Sequence, residues 1–120
     1  MSINLENLSE ETKKKIMDLN NLQQNLEFIT TQKMQFESSQ RETETAIEEL
    51  EKIKPEDIVY KSIGGIFVKS EKSKLLDEKK NLKVTLEMRM KTLKSKEDRT
   101  RSEIERLSKS IQADIKENGS

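Results

Sequence analysis

The stretch Ile58-Val59-Tyr60-Lys61-Ser62-Ile63-Gly64-Gly65-Ile66-Phe67-Val68-Lys69 decides how this chain is organised. Its β-branched and aromatic residues suit a half-buried pleated strand, and Gly64-Gly65 supplies a two-residue hairpin turn. With a two-residue loop, Ile63 faces Ile66, Lys61 faces Val68 and Val59 faces Ser70. Alternation then puts Val59, Ile63, Ile66 and Val68 on one face and Ile58, Tyr60 and Phe67 on the other. Both faces are largely apolar. A lone two-stranded hairpin is marginal in water and leaves two open edges. Two readings follow: the hairpin folds back on its own chain, or it joins hairpins of other subunits into a sheet or barrel. The second is favoured, because a thin coiled coil cannot cover both faces.

Outward from the hairpin, punctuation gives way to charge. The segment from Lys54-Pro55 to Lys69-Ser70 holds the only Pro, two of the three Gly and the only Tyr. Pro55 disfavours helical geometry at Lys54 and ends the first helix. Ser70 is the expected cap of the second, with Glu71 favourable in its first turn. Two polar stretches of similar length flank the hairpin, residues 8–54 and 71–117, with the hairpin itself at 57–69. The 120 residues read as one unit with flexible termini.

Heptads run through both flanks. In the first, steps of three and four give Leu19, Leu22, Leu26, Ile29, Lys33, Phe36, Gln40, Thr43, Ile47 and Leu50. In the second, Leu75, Lys79, Leu82, Leu86, Arg89 and Leu93 form one run, and Glu97, Thr100, Ile104, Leu107, Ile111 and Asp114 another. Two four-residue steps meet at Leu93, a stutter that locally unwinds a supercoil. Sustained heptads mark coiled-coil helices, each about 45 residues and roughly 70 Å at 1.5 Å rise. The polar steps Lys33, Gln40 and Thr43 suggest a more flexible middle of the first helix. Neither helix is stable without a partner for its apolar stripe. Matched lengths give an antiparallel hairpin of helices, with Leu50 meeting Leu75, Leu26 near Thr100 and Leu19 near Leu107. The fold class is therefore mainly α: a long two-helix antiparallel coiled coil joined by one β-hairpin.

Composition agrees, with 38% charged and 31% hydrophobic residues, no Trp and one Pro. Residues 1–57 carry 7 basic and 13 acidic side chains, and residues 58–120 carry 16 and 10. An acidic helix could thus flank a basic one and favour pairing within the chain, although exposed pairs are individually weak. The alternative is two solvated faces that differ without consequence.

The residue inventory argues against chemistry. There is no Cys for a disulfide or thiolate metal site and no His for proton shuttling or metal binding. The carboxylates lie along solvated helix faces, and Gly64-Gly65 lacks the Lys-Ser/Thr of a phosphate loop. No enzyme activity and no cofactor are expected. Nucleic acid is disfavoured because the Lys and Arg of the second half alternate with acids. Membrane binding is disfavoured by a narrow apolar stripe, with no run near the roughly 20 residues a span requires. The polar stretch from Met1 to Glu11 lacks a signal peptide's apolar core, so a cytoplasmic location is the default. The sequons at Asn7 and Asn118 then carry no meaning.

Several stretches bear a family resemblance. Leu22-Gln23-Gln24 and Ala46-Ile47-Glu48-Glu49-Leu50 lie in the first helix. Val59-Tyr60-Lys61-Ser62-Ile63-Gly64 followed by Phe67-Val68-Lys69 forms the hairpin. Leu86-Glu87-Met88-Arg89-Met90-Lys91-Thr92-Leu93 lies in the second helix. Together, across residues 15–112, the chain resembles the beta class of prefoldin subunits, of the archaeal type. The alpha class would carry two hairpins, and this chain has room for one. The resemblance implies a heterohexamer of two alpha and four beta subunits. Their hairpins would form a double β-barrel from which coiled-coil arms hang. It also implies capture of unfolded polypeptides at the arm tips without ATP and transfer to a group II chaperonin. Hub residues are then Ile58, Val59, Tyr60, Ile63, Gly64, Gly65, Ile66, Phe67 and Val68. The termini become the arm's free end, where extra apolar residues gather. Leu8, Ile16, Met17 and Leu19, with Leu107, Ile111 and Ile115 opposite, are the expected client-binding residues, and Leu5 lies beside them. A bland reading has these side chains wedge the coiled-coil end shut. A structural coiled-coil scaffold without client binding is the rival function.

Overall fold

The computed structural model describes residues 7–118. It contains helix α1 (Glu10–Lys52), strand β1 (Val59–Ile63), strand β2 (Ile66–Ser70) and helix α2 (Lys72–Asn118). Contacts divide the chain into two compact units: Met1–Gln32 with Leu93–Ser120, and Lys33–Thr92. Each is built from paired portions of α1 and α2.

In the first unit, Ser9 starts α1. Its Oγ accepts the Thr12 amide at 3.1 Å and its carbonyl accepts the Lys13 amide at 3.0 Å. The Ser9 side chain thereby satisfies one otherwise unpaired helix-end donor, and its carbonyl accepts the first intrahelical bond. The two helix portions run antiparallel. Thr12 meets Asp114, Asp18 and Leu22 share a groove with Glu103 and Leu107, and Asn25 and Ile29 share another with Lys96 and Thr100. Ile29, Leu93, Leu107 and Ile111 are buried, together with the polar Thr12 and Glu97. Leu19, Leu22, Leu26, Thr100 and Ile104 are half-buried beside them.

In the second unit, the heptad seam buries Thr43, Leu75 and Leu86 and half-buries Lys33, Phe36, Gln40, Ile47 and Leu50. Thr43 tolerates its place because its hydroxyl donates to the Ser39 carbonyl at 2.7 Å, one turn back. Helix α1 ends at Lys52, two residues before the expected boundary. A turn around Pro55 follows, closed by Asp57 N–H to the Lys54 carbonyl (3.0 Å) and Lys54 N–H to Asp57 Oδ2 (2.9 Å). Lys72 Nζ donates to the Ile53 carbonyl at 2.7 Å and fastens the start of α2 beside this turn.

Strands β1 and β2 pair in the expected register: Val59 with Ser70, Lys61 with Val68 and Ile63 with Ile66. Gly64 and Gly65 have φ of 53° and 85°, the positive pair that a type I′ hairpin turn requires and side chains with Cβ resist. The expected Ser70 cap is not formed. Ser70 completes the strand ladder opposite Val59, and Glu71 supplies the first helical acceptor, to Leu75 N–H at 3.0 Å. Strand pairing takes Ser70 because its backbone gains a partner there that a cap position would not provide.

Charge asymmetry contributes little to helix pairing. Lys80–Glu51 follows it at 3.9 Å with both groups half-exposed, whereas Lys15–Asp114 runs the opposite way at 2.8 Å. Pairs of the first kind add little to stability.

Candidate functional site

The hairpin is the first candidate surface. Lys61 Nζ reaches Glu78 Oε2 on α2 at 2.9 Å, which ties one strand to the helix of the same unit. That contact holds the Glu78 carboxyl below its ordinary range, first through the hydrogen bond from Lys61. The tie does not cover the apolar side chains. Ile58, Tyr60, Ile63, Ile66 and Val68 are all exposed, and Phe67 reaches 77%. Val59 alone among the nine expected hub residues is half-buried. Space around Gly64 and Gly65 is open, so their role is set by backbone sign and not by close approach.

The free end of the first unit is the second candidate. Of the seven residues read from sequence, Leu107 and Ile111 are buried, at 8% and 7% exposure. Leu8, Ile16, Leu19 and Ile115 are half-buried, and Met17 points outward at 66% exposed. Leu5 lies outside the described residues. The structure thus gathers most of the set into a closed end, with Met17 as its exposed member.

Sequence reasoning missed a polar cluster at this end. Asp114 Oδ2 accepts from Thr12 Oγ1 at 3.1 Å and from Lys15 Nζ at 2.8 Å, and Lys15 Nζ also donates to Ser110 Oγ at 2.9 Å. The hydrogen bond from Lys15 is the main cause that lowers the Asp114 pKa, opposed by partial burial and aided by Thr12. The same bond raises Lys15 above the usual lysine value. A signal was available. Continuing the α1 heptad backwards from Leu19 lands on Lys15 and Thr12, and Asp114 ends the α2 run.

Also unanticipated are exposed apolar side chains off the seam: Phe28 in the first unit, and Met34, Val84 and Met88 in the second. No helix among the described residues is long and apolar enough to cross a membrane.

Comparison with known proteins resolves what such a chain is. Residues 13–118 match the family described as Prefoldin subunit. The chain belongs to the beta class of the prefoldin family. Prefoldin subunit beta of Archaeoglobus fulgidus is 38% identical over 97 residues, covering 81% of this chain and 84% of that protein. Prefoldin subunit beta of Pyrococcus furiosus is 30% identical over 112 residues, covering 93% and 96%. The crystal structure of the prefoldin beta subunit from Thermococcus strain KS-1 superposes with a TM-score of 0.80 at 28% identity, covering 89% of this chain and 94% of that one. As a prefoldin subunit the chain is a non-enzymatic chaperone component. The expected resemblance, hairpin between two long helices included, therefore holds over nearly its whole length.

Proposed function

We infer that this chain is an ATP-independent holdase subunit that assembles through its hairpin and captures unfolded polypeptides at the free ends of its arms. Four copies combine with two alpha-class subunits, their hairpins closing into a double β-barrel. Captured clients pass to a group II chaperonin in the cytoplasm.

The observation that supports this reading is the hairpin. A chain that buries its heptad seam leaves six of nine hub residues as exposed large apolar side chains on two faces of a two-stranded sheet. Such a patch, with open strand edges, is an interaction surface. Mixed barrels of such hairpins would bury both faces at once. Capture at several weak tips then gains strength from avidity, with no nucleotide cycle needed to reset it.

The test uses the assembled complex with an alpha-class partner. Ile16, Met17 and Ile115 are replaced together by Ser, and aggregation of a chemically unfolded test protein is followed by light scattering. Assembly mass should persist while protection falls sharply. Unchanged protection would move the client site away from the tips. No protection by the intact complex would leave a structural scaffold as the function.

A further inference from the structure

We propose that Thr12, Lys15, Ser110 and Asp114 form a latch that holds the free end of the arm closed, and that client capture requires this latch to open. The proposal rests on the tip reading above and adds its control element.

Thr12, Lys15 and Asp114 occupy heptad positions, where the layers farther in carry Leu19, Leu107 and Ile111. Thr12 is 1% exposed, the most buried side chain among the described residues. Its partners are satisfied: Thr12 with Asp114 and Ser9, Asp114 with Lys15, and Lys15 with Ser110. Lys15 and Asp114 are each 24% exposed, so water stands at the edge of the layer.

An apolar layer resists opening in proportion to the surface it would wet. A polar layer exchanges its hydrogen bonds for bonds to water, so its net hold is small, while its geometry still selects one closed register. A coiled-coil end built this way closes in a defined manner, and its polar layer adds little to the cost of opening, which falls mainly on the apolar residues behind it. What opening releases is apolar: Ile111 and Leu107, buried in the closed form, and the half-buried Ile16 and Ile115 around them. All of the client surface but Met17 is thereby wholly or partly hidden until it is needed.

The experiment compares three forms of the assembled complex: wild type, Asp114→Ala, and the charge-exchanged pair Lys15→Glu with Asp114→Lys. Helicity and assembly mass are checked in each. Amide exchange is followed over residues 107–117 by mass spectrometry, and protection of an unfolded test protein is titrated in parallel. In Asp114→Ala, which removes the bonds from both Thr12 and Lys15, exchange of this segment should speed at least about fivefold, the size of one net hydrogen bond, and up to roughly thirtyfold if both count in full. The concentration of complex giving half-protection should fall several-fold. The exchanged pair should bring both quantities back toward wild type. Unchanged exchange in Asp114→Ala would overturn the latch. Faster exchange without better protection would also overturn it, provided the Ile16, Met17 and Ile115 to Ser variant still loses protection. Should that variant keep full protection, the tip reading itself fails, and the latch with it.

Discussion

Replacing Ile63 and Val68 together by Asp separates the hairpin's contribution to the single chain from its contribution to assembly. In the chain alone these side chains are 49% and 42% exposed, so nearly half of each stays open to water. A carboxylate at either position stays hydrated, so the fold of the isolated chain should change little. In a closed barrel both positions become dry. Each lost aliphatic side chain forgoes the part of its burial still to come, about 1 kcal/mol when half of a full 1.5–3 kcal/mol is outstanding. Each carboxylate adds a desolvation penalty of several kcal/mol unless it finds a partner. The two positions together cost roughly 5 kcal/mol or more per subunit, over a thousandfold in affinity at 1.4 kcal/mol per tenfold. Native mass spectrometry of the chain mixed with an alpha-class subunit reads the outcome, with circular dichroism as the check on helicity. Val84→Asp, at an exposed site on α2, is the control that should assemble normally. An Ile63→Asp/Val68→Asp chain that still enters the hexamer at micromolar concentration would show that the hairpin is not the hub.

Two further outcomes test the seam and the free end. Leu86, 5% exposed, should cost about 2–4 kcal/mol on replacement by Ala in urea unfolding, whereas Leu82, 39% exposed, should cost clearly less; equal losses would mean that burial does not measure the seam. Asp114 has its pKa lowered from 3.8, so its contribution is present above that value and is lost as acid brings pH down through the folded pKa. Lys15 is raised from 10.5, so its contribution is complete below that value and disappears as alkali carries pH up through the folded pKa. Protection of free-end amides, taken relative to their intrinsic exchange at each pH, should therefore fall in acid more steeply in wild type than in Asp114→Asn, and the difference should shrink in high salt because the pair is partly exposed; parallel profiles would remove Asp114 as the acid-sensitive group.

Periodicity made the helices legible. All ten heptad positions chosen in α1 prove buried or half-buried, including the polar Lys33, Gln40 and Thr43. In α2 the pattern is looser: Leu82 and Arg89 are exposed although they fall on the seam. The hairpin register followed from its loop length, since two residues between strands leave one way to align Ile63 with Ile66. Caps were harder to read. Ser9 and Ser70 are both serines beside acidic residues at a helix start, yet Ser9 caps while Ser70 stays in the ladder. What separates them is the strand entering at Ser70, a long-range competitor for the same backbone. The free end was half legible. Apolar residues could be assigned to it by counting, but whether they face out or in depended on Thr12 and Asp114 meeting across 102 positions of sequence.

The distribution of apolar side chains argues that the single chain is an incomplete structure. Among the described residues the seam buries six hydrophobic side chains, Ile29, Leu75, Leu86, Leu93, Leu107 and Ile111, spread thinly along two long helices. The hairpin, a tenth of the residues, leaves as many large apolar side chains exposed within one short segment. A folded protein gains nothing in solubility or stability from that arrangement when alone. It does gain some preorganisation: the partly exposed Lys61–Glu78 bond, weak by itself, favours one attitude of the hairpin to α2. The two positive-φ glycines fix its turn, and the ladder fixes which side chains share a face. Preorganisation of this kind lowers the ordering cost that association would otherwise carry. The seam, by contrast, is polar at Lys33, Gln40, Thr43 and Glu97, which weakens each helix pair while leaving its register defined. Uncovered apolar surface is thus concentrated in the hairpin, and on the proposed function that surface serves assembly while the helix ends serve capture.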